Sequence, residues 1–373
     1  MKIERLIEIL DADFFTGVPD SQLRTLCDYL TDRYGINPNH HVIAANEGNC
    51  TALASGYHLA TGKIPVVYMQ NSGEGNMINP AVSLLHNEVY GIPIIFIIGW
   101  RGEPGASDEP QHIYQGKITI KLLENIDVES FVVDKRTTDE ELVEKMYEFR
   151  KILSSGRSVA LIIRKNALVY DHKVIYENKN KMIREKVIQR IVDISGNDPI
   201  ISTTGKISRE LFEIRESSGK NHKCDFLTVG SMGHCSSIAL GVALHKPKAK
   251  IWCIDGDGAA LMHMGAMAII GTISPGNLVH IIINNSSHES VGGMPTAAGQ
   301  IHLAEVARAC GYPYAVCINN HEDLEQELCE AKKRSKLSLI EIGCAIGSRD
   351  DLGRPTTAAL ENKQNFMAYL KTM

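Results

Sequence analysis

The sequence predicts an α/β protein of two domains, each a mostly parallel sheet with helices on both faces. Three observations carry this. Apolar, β-branched runs of strand length alternate with helical patterns along the whole chain. Those runs are continuous rather than alternating, as strands buried on both faces must be. At 373 residues the chain is also too long for one ordinary core and fits two.

The elements follow in order. A short amphipathic helix, rather than a signal peptide, begins at Met1-Lys2-Ile3-Glu4-Arg5. Phe14 to Val18 reads as a strand and Ser21 to Tyr34 as a helix. His41 to Ala44 is a strand, and Asn49 to Thr61 a helix rich in small residues. Val66 to Met69 is a strand, with a helix expected over Asn79 to Val89. Ile94 to Ile98 is a buried strand, Glu140 to Leu153 an amphipathic helix, and Val159 to Ile163 the last strand of this half. A charged, core-poor stretch follows and is read as a linker, residues 171–184, between domains 1–170 and 185–373. Strands then recur at Pro199 to Ser202, Ile251 to Ile254, His280 to Ile283, Tyr314 to Ile318 and Ser338 to Ile342. No short repeat relates the halves, so any likeness between them lies at the level of fold.

Bulk chemistry excludes several classes. A net charge of −5 with no dense Lys/Arg run argues against a nucleic-acid surface. The longest apolar run, Ile92 to Trp100, is too short to span a bilayer, so no membrane role is expected. The nine cysteines are scattered with no Cys-x-x-Cys pair, which suits small buried residues in a reducing cytoplasm rather than disulfides or zinc. No strand–Gly-x-Gly-x-x-Gly–helix fingerprint appears, which disfavours a dinucleotide-dependent dehydrogenase.

The strongest chemical signal begins at Gly256. Strand Ile251 to Ile254 delivers the chain to Gly256-Asp257-Gly258-Ala259, where the glycines let backbone N–H groups approach a phosphate. Asp257 offers one hard oxygen, and Asn285, 28 residues on, offers another after one crossover to a neighbouring parallel strand. Two such oxygens with phosphate and water suit Mg²⁺. A second constellation is Ala45-Asn46-Glu47-Gly48-Asn49, where a carboxylate sits at the end of a strand and the start of a helix. Taken alone, Glu47 there is a dipole-favoured residue.

Gly-Asp-Gly followed by the spaced Asn284-Asn285 resembles the signature of thiamine-diphosphate enzymes. What the resemblance implies is specific. Glu47 would hydrogen-bond the pyrimidine ring N1′ of thiamine diphosphate, in a site dry enough for efficient proton exchange. Thr204 and Gly205 would contact the cofactor, and the carbonyl of Ser287 would join Asp257 and Asn285 on Mg²⁺. In Gly230-Ser231-Met232-Gly233, Ser231 and Met232 would lie against the cofactor, with Met232 as the apolar wedge beneath it; core packing is the plain alternative. The two halves would be a pyrimidine-binding and a diphosphate-binding domain. They would meet across a homodimer or higher oligomer, so that Glu47 serves the cofactor held by a partner's Asp257.

Further segments narrow the likeness. Phe14 to Ser21, Met69 to Asn76, Gly99 to Gly105, Asp108 to His112, His288 to Thr296 and Gly347 to Pro355 closely resemble the phosphonopyruvate decarboxylase family, over essentially the whole chain. The implied reaction converts 3-phosphonopyruvate, a small 2-oxoacid, to phosphonoacetaldehyde and carbon dioxide, through ylide attack on the keto carbon, loss of carbon dioxide and protonation of the enamine. Asp20 matches an acid near the reacting centre, and a helix cap is its other reading. His112 and His288 are candidates for proton transfer. Arg101 and Arg354 are cationic candidates for the substrate's anions, with Ser72 and Thr296 as further donors. The chain departs from the family pattern at Ser286-Ser287, Met294 and Glu74. Three alternatives stand beside this one. They are a sulfopyruvate decarboxylase, whose known examples often split the halves onto two chains, a carboligase of the acetolactate-synthase type, and a noncatalytic thiamine-fold regulator.

Overall fold

A computed structural model describes all 373 residues. The chain divides into two compact units, Met1–Ile175 with Val291–Met294, and Tyr176–Ser290 with Pro295–Met373. No helix is long and apolar enough to cross a membrane.

The first unit is built on a parallel six-stranded sheet of β1 (Phe15–Gly17), β2 (His41–Ile43), β3 (Val66–Gln70), β4 (Ile95–Gly99), β5 (Glu129–Val133) and β6 (Val159–Ile163), in the order β2-β1-β3-β4-β6-β5. The apolar runs sit where burial is complete. Every residue of β4 and β6 is buried, and their register sets Ile95 beside Val159 and Ile97 beside Leu161. Helix boundaries follow local chemistry. Asn46 accepts the backbone N–H of Asn49 at 2.9 Å and starts helix Glu47–Thr61, which ends at Gly62 in the left-handed region. A capping box, Thr138 with Glu141, starts helix Asp139–Ser154.

The helix expected over Asn79 to Val89 is displaced. Residues Asn71–Gly73 form a 3₁₀ turn, Glu74–Pro80 an α-helix and Ala81–Leu85 a π turn. Pro80 lacks an N–H and its ring crowds the preceding turn, so the helix widens behind it rather than continuing regularly. Helix Pro110–Asn125 and edge strand β5 were not legible in the sequence. The helix carries Gly116 and the β-branched Ile113, Ile118, Thr119 and Ile120, which blur a helical pattern.

The second unit contains β7 (Ile200–Ser202), β8 (Asp225–Leu227), β9 (Ile251–Gly256), β10 (Leu278–Asn284), two short strands β11 (Ser287–His288) and β12 (Met294–Pro295), β13 (Ala315–Ile318) and β14 (Ser338–Gly343). Its parallel six-stranded sheet runs β13-β14-β10-β9-β7-β8. Read from the other edge, this is the strand order of the first sheet, position for position. The halves share one topology, with β3 and β9, and β4 and β10, as equivalents. Helices cover both faces of this sheet, over separate clusters of buried side chains. Met182, within the stretch read as linker, is buried and bridges to Cys344, and Arg184 opens helix Arg184–Ser195.

Candidate active site

In a parallel sheet, ligand-binding groups gather beyond the carboxyl ends of the strands. Every candidate on a sheet-strand end in this chain lies there. In the first unit these are the ends of β1, β3 and β4 with the start of the helix after β2. In the second they are the ends of β7, β9 and β10.

Glu47 is buried, and one carboxyl oxygen accepts the Asn76 amide at 2.8 Å. A Cβ at Gly73 would overlap the Glu47 carboxyl, so only glycine lets the 3₁₀ turn after β3 close on it. Burial pushes the Glu47 pKa up, against the pull of Asn76. Asn76 was missed by sequence reading, because nothing local marks a side chain that reaches back to a helix start.

Asp20 is fully buried at the end of β1. Gln70 donates to it at 2.6 Å and the backbone N–H of Gln22 at 3.1 Å. Ser72 in turn donates to the Gln70 side-chain oxygen at 2.7 Å, giving a hydrogen-bonded chain Ser72–Gln70–Asp20. The expected helix cap becomes a turn, since helix Arg24–Tyr34 begins beyond it with no side-chain cap. Burial raises the Asp20 pKa, while Gln70 and Arg101 oppose the rise. Gln70, a polar residue closing an apolar strand, was the available sequence signal for this hydrogen-bonded chain.

Arg101 is committed in this structure. Its guanidinium grips both oxygens of Asp108, with Nε at 2.8 Å, and reaches Ser21 at 3.1 Å. His112 is buried, its Nδ1 has no partner, and burial with the nearby Arg101 lowers its pKa to about 4. It is therefore neutral at pH 7 and cannot act as a standing imidazolium acid. Next to these residues lies Glu74, 1% exposed, whose Oε2 accepts from Gln115 at 3.0 Å while Oε1 has no partner. Burial pushes its pKa to about 9, so it is a neutral carboxylic acid at pH 7.

In the second unit, Asp257 opens helix Asp257–Met262 at the end of β9. Thr296 donates to its Oδ2 at 2.5 Å, so this hydroxyl, expected to face substrate, holds the carboxylate instead. Burial raises the Asp257 pKa to about 6 against Thr296 and the surrounding backbone N–H groups. The side chain of Asn285 is fixed at both ends. Its Nδ2 donates to Glu289 at 2.7 Å and its Oδ1 accepts the Ser287 N–H at 3.1 Å. Glu289 is anchored by Arg184 at 2.5 Å and Lys206 at 2.7 Å, and Arg184 also pairs with Glu210 at 2.6 Å. This ionic cluster behind Asn285 was also missed, since its members are spread from Arg184 to Glu289.

Gly258 sits under a tight roof. A Cβ there would lie 3.3 Å from the His288 ring and 3.4 Å from the Met232 methyl. His288 is pushed down to about 4 by burial and is neutral, like His112. Ser231 and Gly233 both take positive φ, which turns the chain sharply on either side of Met232. Thr204 donates to the Val229 carbonyl at 2.8 Å, and Gly205, with φ 91°, starts the next helix. Ala259 is buried in the turn of Asp257. Arg354 is exposed, in a loop fastened by Arg209 to the Gly353 carbonyl at 2.6 Å.

The structure thus gathers Asp20, Ser72 and Arg101 with Gln70, and Glu47 with Asn76, in one unit. It gathers Asp257, Asn285, Ser287, Thr296, Met232 and His288 in the other. Asp257, Asn285 and Ser287 each carry a hard oxygen, the donor type that Mg²⁺ prefers.

Two sequence families match. Residues 3–131 match the thiamine pyrophosphate enzyme N-terminal TPP binding domain, and residues 203–342 the C-terminal TPP binding domain. Among curated relatives, phosphonopyruvate decarboxylase of Streptomyces viridochromogenes is 34% identical over 97% of this chain and 95% of its own. That of Streptomyces hygroscopicus is 32% identical over 95% and 89%. Sulfopyruvate decarboxylase of Methanosarcina acetivorans is 26% identical over 91% of this chain and 90% of its own. The last match removes one discriminator, because a sulfopyruvate decarboxylase can also carry both halves on one chain.

Proposed function

Since this chain belongs to the phosphonopyruvate decarboxylase family of thiamine-diphosphate-dependent 2-oxoacid decarboxylases, we propose that it converts 3-phosphonopyruvate to phosphonoacetaldehyde and carbon dioxide, with Mg²⁺ as the second cofactor. The observation that supports the substrate is the near full-length likeness to two phosphonopyruvate decarboxylases, at higher identity than the sulfopyruvate decarboxylase of Methanosarcina acetivorans over a comparable span. Separate sulfopyruvate decarboxylase subunits match single halves of the chain at 35% and 36% identity.

The residues present fit both cofactors. Asp257, Asn285 and the Ser287 carbonyl are hard oxygens that would hold Mg²⁺, and a cation beside Asp257 would offset the burial that raises its pKa. Gly256 and Gly258 leave the backbone of this turn open to a diphosphate. Thr204, Gly205, Ser231 and Met232 would line the rest. Thiamine diphosphate, when bound, supplies the nucleophile for the keto carbon and the electron sink for the bond that breaks.

The chain's own groups do the rest. Glu47, buried and held by Asn76, keeps a proton in play at the pyrimidine nitrogen. Asp20, positioned by Gln70, which Ser72 in turn orients, is the acid placed to return a proton to the carbon that loses carbon dioxide. His112 and His288, both neutral, serve as hydrogen-bond partners rather than cationic acids. Arg101 and Arg354 supply positive charge for a substrate carrying carboxylate and phosphonate, and a phosphonate would compete with Asp108 for the Arg101 fork. We further propose a cytoplasmic homodimer with sites shared between chains, in keeping with nine cysteines that are all free.

The test offers phosphonopyruvate, sulfopyruvate and pyruvate separately to the protein with thiamine diphosphate and Mg²⁺, and measures carbon dioxide and aldehyde. Turnover of phosphonopyruvate at least about tenfold above the others in kcat/KM is expected. A preference for sulfopyruvate would keep the chemistry and overturn the substrate.

A further inference from the structure

Beneath the turn that carries Asp257 lies a second cluster that the proposed reaction does not use. Cys253 and Asp255 alternate along β9 and so share one face of the sheet. His280 of β10 stands in register with Cys253 and joins them on that face. Cys235, the first residue of helix Cys235–His245, packs over them. All four side chains are at most 2% exposed.

The polar atoms of this cluster are poorly satisfied. The two sulfurs lie 3.6 Å apart without a disulfide. Asp255 Oδ1 accepts the Gly256 N–H at 3.0 Å, but Oδ2 has no partner. His280 Nε2 is also unpartnered and stands 3.7 Å from that oxygen, beyond hydrogen-bond reach. Its other nitrogen, Nδ1, is 3.1 Å from the hydroxyl of buried Tyr312. A fully buried carboxylate oxygen facing a bare imidazole nitrogen is costly unless something positive sits between them.

We propose that Cys235, Cys253, Asp255 and His280 form a closed binding site for a borderline-soft divalent cation of the zinc class. The donor atoms of Cys235, Cys253 and Asp255 all lie within 4.8 Å of one another. His280 Nε2, 3.7 Å from Asp255, stands outside that group and would complete four ligands by shifting toward it. Tetrahedral zinc with Zn–S bonds of about 2.3 Å sets its two sulfurs about 3.8 Å apart. The 3.6 Å observed is close to that edge. Tyr312 would accept from Nδ1–H and leave Nε2 free to ligate, the outer-shell arrangement a metal-bound histidine needs. Two thiolates exclude Mg²⁺ as the occupant, so this site does not compete for the ion at Asp257. On binding, both thiol protons leave to solvent and no electron moves. The ion would staple β9 to the helix that follows Gly230–Gly233, and so brace the Asp257 turn from below.

The test is the metal content of the full-length protein expressed with zinc in the medium and dialysed against a chelator. About one zinc per chain is expected, retained while folded and released to a chromophoric chelator on unfolding. Cys253→Ala and Cys235→Ser should each lower it at least about tenfold. Protein expressed with cobalt in place of zinc should show thiolate-to-cobalt charge-transfer absorption and four-coordinate visible bands. That measurement needs no variant and decides the matter if the variants do not fold. Zinc below about a tenth of an equivalent, with no cobalt–thiolate band, would overturn the site. The cluster would then be a metal-free, hydrogen-bonded core. Neither readout depends on thiamine diphosphate or on turnover.

Discussion

At the scale of single residues, the proposed active site is a set of mostly buried polar groups, several of them held by one or two partners. Glu47 is the clearest case: its burial raises its pKa, and Asn76 supplies its one side-chain hydrogen bond. Glu47→Gln preserves shape and removes the exchangeable proton. It should lower kcat by about 10²–10⁴-fold, the usual range for a lost general acid–base. Cofactor affinity, measured by titration of thiamine diphosphate, should change far less; equal losses in both would make Glu47 a binding residue only. Glu289 argues the same way for the metal. It fixes the Asn285 amide by accepting from Nδ2, which leaves Oδ1 as the end that would ligate the proposed Mg²⁺, and it is itself held by Arg184 and Lys206. Glu289→Gln should weaken Mg²⁺ binding by about 10–100-fold in a calorimetric titration. Unchanged affinity would show that Asn285 needs no such support.

At the scale of elements, the segment from β3 to Pro80 shows what a sequence does and does not disclose. The inner strands were readable because continuous β-branched runs have few other uses in a parallel sheet, whereas the edge strands β5 and β8 carry no such run. The turn after β9 was readable because glycine, aspartate and a spaced asparagine pair have a joint chemical meaning. Helix Glu74–Pro80 was read several residues too late, because Pro80 looks like a start when it is an end. The partners Asn76 and Glu289 were invisible for another reason: their roles are fixed by distances between elements, which no local pattern encodes, while Gln70 left only the signal of a polar residue closing an apolar strand. Glu74 is the cost of this segment's packing. Its carboxyl is buried with one oxygen unpartnered, and its pKa rises from 4.5 unfolded to about 9 folded. The folded state therefore binds the extra proton, and stability must fall as pH rises from about 4.5 to 9. Glu74→Gln removes that dependence. The variant should match the wild type within about 1 kcal/mol at pH 5 and exceed it by on the order of 5 kcal/mol at pH 9, read from denaturant midpoints. A constant difference across that range would mean that Glu74 is not protonated in the fold.

At the scale of the whole molecule, two sheets of identical strand order carry complementary halves of one chemistry. The first unit presents the buried carboxyls Glu47 and Asp20; the second presents Asp257, Asn285 and a glycine turn. In the proposed assignment neither half is sufficient: the oxygens that would hold the dication lie in the second, and the carboxyl that would meet the pyrimidine lies in the first. The proposed homodimer, in which each site takes Glu47 from one chain and Asp257 from the other, makes a sharp demand on mixtures. Glu47→Ala and Asp257→Ala proteins should each be inactive alone. When subunits exchange, half the dimers are mixed, and each mixed dimer places both lesions in one site and leaves the other intact. An equimolar mixture should then recover about a quarter of wild-type activity, in step with the fraction of hybrid dimers measured by mass spectrometry. If both groups of a site came from one chain, every site in the mixture would carry a lesion. Hybrids that form without activity would therefore show that the halves meet within a chain.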